Sequence, residues 1–259
     1  MVKPEEIAAY IGAAAWVPVI IGWIYKAFQK PKLRIVPDQQ FELGFTSLGP
    51  IFNLRLALFV ENRALVIDDV KFEVRHSDGE THTFSWAGLA EKFSEIHDIG
   101  SGRKQIISRD QTPIAIKVFT QSVFEKSLRF LDLKYVEASK TVGALLLDQF
   151  AFLKVQHPDT YVAQALTSQE LHNFIAGRQA FFGWKPGTYK VTMKISSPQR
   201  FKFKVDTFSF SLSASDVVVL KQNINFIDVD MKNTINSNTP GAVPTEFQWQ
   251  WVNPKITRA

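Results

Sequence analysis

Nineteen consecutive residues near the N-terminus carry no charge. This run, Ile7 to Tyr25 (IAAYIGAAAWVPVIIGWIY), is closed by Glu6 on one side and Lys26 on the other. As a helix it spans roughly 28 Å at 1.5 Å per residue, the depth of a bilayer's hydrocarbon core. Tyr10 lies near one end and Trp23 and Tyr25 near the other, where amphipathic rings settle at the membrane–water interface. Pro18 falls inside the run, a position tolerated in a membrane helix when neighbours satisfy the freed carbonyl. The run reads as a single transmembrane helix over 7–28 after a short tail at 1–6, with the bilayer as its first partner. A cleaved signal peptide is the alternative. Such peptides need a basic leader and a shorter apolar core, whereas here Lys3 is offset by Glu5 and Glu6 and the run ends in Lys26, Phe28 and Lys30.

Cations flank the run unequally. Lys3 precedes it, and Lys26, Lys30, Lys32 and Arg34 follow it. The positive-inside rule then puts the following domain in the cytoplasm and the N-terminus outside. Gly12, Ala13, Ala14, Ala15 and Gly22 are small enough to let a second membrane helix pack closely, which points to other membrane-protein subunits as partners.

The remainder is long enough for one sizeable domain. The whole chain has 22 Phe against 5 Tyr, and many of the Phe fall at alternating positions, the mark of a β-rich core. Phe41, Leu43 and Phe45 alternate before a Ser47–Pro50 turn, and Phe52, Leu54, Leu56, Leu58 and Val60 continue at period two. Val70, Phe72, Val74 and His76 form a further strand, and Ile114, Ile116 and Val118 another.

The hairpin at 75–86 fixes its own register. A two-residue Asp78-Gly79 loop would place Phe72 and Val74 on the face of Thr81 and Thr83. A three-residue loop, Ser77-Asp78-Gly79 with Gly79 left-handed, sets Val74 opposite His82, Phe72 opposite Phe84 and Val70 opposite Trp86. Only the second, a type I turn with a G1 bulge, brings the apolar faces together.

Leu89, Phe93 and Ile96 recur at helical spacing, so a short amphipathic helix or turn is expected over 88–97, with a loop at 101–103. Over about 120–180 helical patterning replaces strand alternation. Val142, Leu145, Leu146, Gln149, Phe150 and Leu153 share one face, and Thr167-Ser-Gln-Glu170 fits a capping box before Leu171, Phe174 and Ile175. Strands return with Tyr189, Val191, Met193 and Ile195, turn at 196–198, and run on through Phe201, Phe203 and Val205. The parity then slips to Phe208, Phe210 and Leu212, which predicts a bulge or bend near 206–207, and 213–220 reads as a capped helical turn.

The fold class expected is a single N-terminal transmembrane helix plus a mainly-β soluble domain over 29–232, an Ig-like β-sandwich with a helical insertion. Gly187-x-Tyr189 resembles the late strands of immunoglobulin-like domains, where a tyrosine braces the corner; the Cys–Trp–Cys hallmark of antibody domains is absent. A polar linker and the segment EFQWQWV occupy 233–259, where Phe247, Trp249 and Trp251 alternate with glutamines. Such a segment adds as a strand to a sheet edge, of its own domain or of another subunit.

Chemistry is sparsely signalled. The absence of Cys removes disulfides, thiolate catalysis and Cys-based zinc sites. His76 and His82 are diagonal neighbours on one hairpin face, without a third ligand to complete a metal site. His97-Asp98 and His157-Pro-Asp159 resemble base–orienter pairs but lack a nucleophile, and no phosphate-binding glycine loop occurs. No catalytic residue, metal or cofactor is assigned.

Charge is more informative. Between Glu170 and Asp206 there is no acid, while Lys190, Lys194, Arg200, Lys202 and Lys204 all occur. Read as one hairpin, the lysines share a solvent face, either a plain solvated surface or a contact for anionic lipid or an acidic partner. The interleaved aromatics face the core, which disfavours nucleic acid. The functional expectation is a non-enzymatic single-pass membrane protein, an accessory or scaffolding subunit of a larger complex. The alternatives are a membrane-tethered module recruiting a lipid, peptide or other ligand, and an enzyme with a site between sandwich and insertion.

Overall fold

The computed structural model describes residues 15–25, 28–89, 95–98, 104–107, 115–204, 207–237, 239 and 241–258. Residues 15–25 are helical (α1). Strands β1 (Lys32–Pro37), β2 (Glu42–Thr46), β3 (Gly49–Glu61), β4 (Leu65–Ile67), β5 (Asp69–His76) and β6 (Thr81–Leu89) follow. Next come β7 (Glu95–Asp98), β8 (Lys104–Ile107), β9 (Ile116–Val118) and β10 (Val123–Asp132). Three helices, α2 (Leu133–Gln156), α3 (Tyr161–Leu166) and α4 (Gln169–Ala180), precede β11 (Gly187–Ser196), β12 (Lys202–Phe203) and β13 (Thr207–Leu212). Helix α5 (Ala214–Asn236) and the short strands β14 (Trp251–Val252) and β15 (Thr257–Arg258) complete the order.

Among the described residues eleven strands form one curled, mainly antiparallel sheet, sandwich-like in character. Its order is β12-β1-β3-β10-β6-β5-β11-β13-β15, with β2 on β3 and β14 on β2. The inner face is aromatic. Phe52, Phe72, Phe84, Phe130, Phe208 and Phe210 are all fully buried, and Phe41 stacks on Phe52 at 4.3 Å between centroids. Burying one such ring stabilises the fold by about 3 kcal/mol, so this period-two set dominates the driving force.

The hairpin register is the expected one. Phe72 pairs with Phe84 and Val74 with His82; Gly79 has φ +99°, and His76 N–H donates to Glu80 O at 2.8 Å. Tyr189, Val191 and Met193 are buried as the alternation requires. The Tyr189 hydroxyl donates to Lys185 O at 2.9 Å and accepts from Lys185 N–H at 2.8 Å, a brace back to the backbone four residues upstream.

Several expectations are corrected. The 88–97 segment is not helical where described, since β6 runs to Leu89, opposite Leu128 of the long β10, and 95–98 pairs with 104–107. Residues 90–94 and the 101–103 loop lie outside the described residues. Helix does not begin near 120: residues 123–132 are β10, the central neighbour of β3, and α2 starts at Leu133. Ser168, not Thr167, caps α4, accepting from Leu171 N–H at 3.2 Å, while the Thr167 hydroxyl donates back to Ala163 O. The capped turn after Ser213 extends through 23 residues to Asn236, into the stretch read as linker. Its Val- and Asn-rich sequence has weak helix propensity, and burial of Val217, Leu220, Asn223, Ile227 and Ile235 compensates.

The largest correction concerns 201–212. Among the described residues 201–212 do not form one strand of a hairpin: β12 lies parallel to β1, whereas β13 pairs with β11. The slip in parity separates two strands with different partners, and Asp206, at the expected bulge or bend, lies outside the described residues together with Val205.

These pairings give the domain two poles. Strand β3, roughly 40 Å long at about 3.3 Å per residue, runs from Gly49 at one pole to Glu61 at the other. Glu61 pairs with Lys32, the first residue of β1, beside the chain that leaves α1. At the far pole Gly49 (φ +85°) lies against the Tyr135 ring of α2, where a Cβ would meet Tyr135 Cγ. Helices α2 to α5 enclose a second cluster there with Phe45, Leu146, Leu171, Phe174 and Ile227.

Candidate functional site

Three regions hold the chemistry-bearing side chains. The first is at the far pole, in the β5–β6 hairpin. Asp78 turns the chain and accepts from Glu80 N–H at 2.9 Å; Lys185, placed by the turn before β11, reaches Asp78 at 2.8 Å and Glu80 at 2.7 Å. Lys185 holds the Asp78 and Glu80 carboxyls below their usual range, and the two carboxylates raise its ammonium in return. His82 Nδ1 lies 2.9 Å from Asp132 Oδ2 and its Nε2 3.3 Å from Glu80. Asp132 is buried because it also caps α2, accepting from Tyr135 N–H. His76 Nδ1 stands 2.9 Å from Asp78, and its Nε2 lies 3.2 Å from Pro186 O.

This network ties hairpin, turn and helix together. Trp184 closes over it, stacked on Phe84 at 5.9 Å, and leaves essentially no cavity. The two histidines are each engaged by different carboxylates. Among the described residues no group of three His, Cys, Asp or Glu is arranged to hold a metal ion. His172 bonds the Ser168 carbonyl, His157 ends α2, and the His97 side chain lies outside the described residues.

The second region is the pole where α1 joins the domain. Parallel pairing sets Lys32 beside Lys202 and Leu33 beside Phe203. Leu33 is buried, and Lys32, Arg34, Lys202 and Lys204 are exposed around a cleft of about 530 Å³ that Arg258 also lines. Glu61 engages Lys32 at 3.0 Å, and Arg258 donates to Pro37 O at 3.1 Å. Among the described residues no carboxylate is within ion-pair distance of Arg34, Lys202 or Lys204.

A second cleft, of about 780 Å³, adjoins this one through Arg34 and Val36 and includes Phe59, Glu61 and Val123. Phe119, 57% exposed, precedes the cleft residue Thr120 in the chain and carries Lys117 Nζ 5.0 Å above its ring.

The single basic hairpin face is therefore corrected. Lys190 and Lys194 belong to β11, where Lys194 pairs with Glu73, while Lys202 and Lys204 belong with β1, and Arg200 lies in the intervening loop. Sequence reasoning missed Lys32, Arg34 and Arg258 as members. The signal was present in the matching alternations KLRI at 32–35 and FKFK at 201–204, which brings two basic rows together if the strands are paired in parallel.

The third region is the tail. Trp251 pairs with Gly44 of β2, and a Cβ on Gly44 would run into the Trp251 ring. Phe247 and Trp249 pack against Phe226 of α5 at 5.5 and 6.2 Å. Within EFQWQWV only Trp251–Val252 adds as a strand, to β2 of its own domain, whereas 247–250 are not strand and lay Phe247 and Trp249 on α5. Of the small residues in the N-terminal run, Gly12, Ala13 and Ala14 lie outside the described residues; Ala15 and Gly22 are on α1, and a Cβ on Gly22 would meet nothing within 4 Å.

Among the described residues no helix is long and apolar enough to cross a membrane. Residues 1–14 and 26–27 lie outside them, so the 7–28 span is covered only in part. No family model, curated protein or solved structure matches the chain.

Proposed function

We propose that the chain is a non-enzymatic, single-pass membrane protein, with residues 7–28 as its anchor and an Ig-like domain as an accessory or scaffolding subunit of a larger membrane assembly. One observation carries the anchor reading: α1 keeps its apolar side chains outward, with Trp16, Ile20, Ile21, Ile24 and Trp23 exposed, the last by 75%. A helix with this face in water would lose the apolar transfer energy that a bilayer supplies. The Tyr189 brace supports the Ig-like description, and the cation excess after the anchor supports a cytoplasmic domain.

The scaffolding role is supported by α2. Leu145, Phe152 and Val155 form an outward stripe on this helix, Phe152 62% and Val155 77% exposed. The stripe lies at the pole remote from α1 and so faces a protein partner rather than the bilayer. Gentle solubilisation of native membranes followed by native mass spectrometry tests the reading. Stoichiometric company that is lost on Leu145→Asp/Phe152→Asp supports a subunit, and a lone monomer rejects it. A second reading, a tethered ligand-binding module, is favoured by the two clefts beside α1; it accords with that monomer.

A further inference from the structure

We propose that the cleft between β1 and β12 binds the phosphate headgroups of anionic phospholipids in the membrane that α1 enters, so that the domain lies on the bilayer by this pole. The inference rests on the anchor reading above and adds a defined contact surface to it.

The argument begins with the register. Parallel pairing puts Lys32 against Lys202, and the same alternation carries Arg34 and Lys204 on the outer side. Like charges side by side on a sheet repel. Glu61 offsets Lys32 alone, and among the described residues no carboxylate offsets Arg34, Lys202 or Lys204. A row of cations around a concave surface is complementary to a layer of phosphates, where arginine binds two oxygens and lysine acts as a point charge.

The tether places that surface. Only residues 29–31 separate Phe28 from Lys32, a reach of at most about 14 Å for an extended chain. Lys202 N–H donates to Pro31 O at 2.8 Å, so β12 is fastened to the connecting segment itself. The cleft is held within about two screening lengths of the headgroups, where the field of an anionic leaflet still acts. Exposed Val123 lines the adjoining cleft that shares Arg34 and Val36, and exposed Phe119, with Lys117 over its ring, lies just before it in the chain, so apolar tips and a cation that suit the interface stand beside this surface. Each basic side chain near such a leaflet strengthens attachment about fivefold, so Arg34, Lys202 and Lys204 together favour the docked state on the order of a hundredfold.

The full chain is reconstituted in nanodiscs of phosphatidylcholine alone, or of phosphatidylcholine with phosphatidylglycerol, and amide hydrogen exchange is followed over 115–123 and 197–204. Slower exchange in the anionic discs, reversed by high salt, is expected. Arg34→Glu/Lys202→Glu/Lys204→Glu should abolish the difference, and the milder triple Gln variant should remove most of it, while Lys190→Glu/Lys194→Glu on β11 keeps it. Identical exchange in both discs overturns the inference regardless of how the variants fold. Equal slowing by inorganic phosphate in phosphatidylcholine discs also overturns it, assigning the cleft to a free anion. Failure of the chain to enter phosphatidylcholine discs rejects the anchor reading; entry without slowing in the anionic discs rejects this inference alone.

Discussion

Asn223 is fully buried in α5 and holds the C-terminal segment by its backbone. Its Nδ2 donates to Gln250 O and its Oδ1 accepts from Gln250 N–H, both at 2.7 Å. No other uncharged side chain of this size offers both donor and acceptor in that fork except an amide, so Asn223→Ala leaves two backbone groups unpaired beside Trp249 and Trp251. Each orphaned group costs about 1–3 kcal/mol, less where water enters. A loss of about 3 kcal/mol follows, or roughly 6–12 °C in Tm for a domain of this size. Asn223→Asp retains the acceptor but sets a carboxylate against a carbonyl oxygen, so it should fare no better. Differential scanning fluorimetry and urea unfolding of the detergent-solubilised chain measure the loss, and limited proteolysis shows whether 244–258 is released. A Tm change under about 2 °C with the tail still protected would refute the reasoning, because the segment would then be held by its rings alone.

Other outcomes follow from the same geometry. Gly44→Ala should displace the Trp251 ring and cost about 1–3 kcal/mol, and Trp251→Ala should relieve much of that clash in a double-mutant cycle read by urea unfolding. Lys185→Ala probes the hairpin network. Because Lys185 depresses the Asp78 and Glu80 carboxyls, its stabilisation is present above the unfolded carboxylate pKa of about 4 and is lost as pH falls below it. Because its own ammonium is raised, the stabilisation is also lost as pH climbs past the folded lysine value. The stability gap between wild type and variant, followed by thermal melts across pH, should therefore be flat from about pH 5 to 10 and shrink at both ends. Ser213→Ala removes the hydroxyl that accepts from Asp216 N–H and should cost about 1 kcal/mol in the same melts. On α2, Phe152→Asp should change Tm by little, since the ring already faces solvent, while reducing any co-purifying partner.

What could be read from the sequence was local. Strands β3, β5 and β11 announce themselves by apolar residues at every second position, and the hairpin register follows because only one loop length aligns Phe72 with Phe84. Partners far apart in sequence left weaker traces. Strand β12 is two residues long, and its pairing with β1 spans more of the chain than any turn rule covers. The tail's destination depended on Asn223, an unremarkable polar residue until α5 is known to extend past it. For the candidate site, the cations Lys202 and Lys204 were visible as a basic row, but their neighbours Lys32 and Arg34 were visible only as flanking charges. What joins them is sheet order, which composition and periodicity do not encode.

Strand β1 also has a mechanical meaning. It leaves the α1 side as the first element of the domain and is paired along its whole length with β3, from Lys32 opposite Glu61 to Pro37 opposite Leu56. Tension between a fixed α1 and a load held at the helical pole runs along the strand axis, whereas the ladder's hydrogen bonds lie across it. The bonds are therefore strained together, in shear, instead of opening one by one from a frayed end. If α1 were held fixed, a pull along the strand axis would therefore meet more resistance than one that peels β1 sideways.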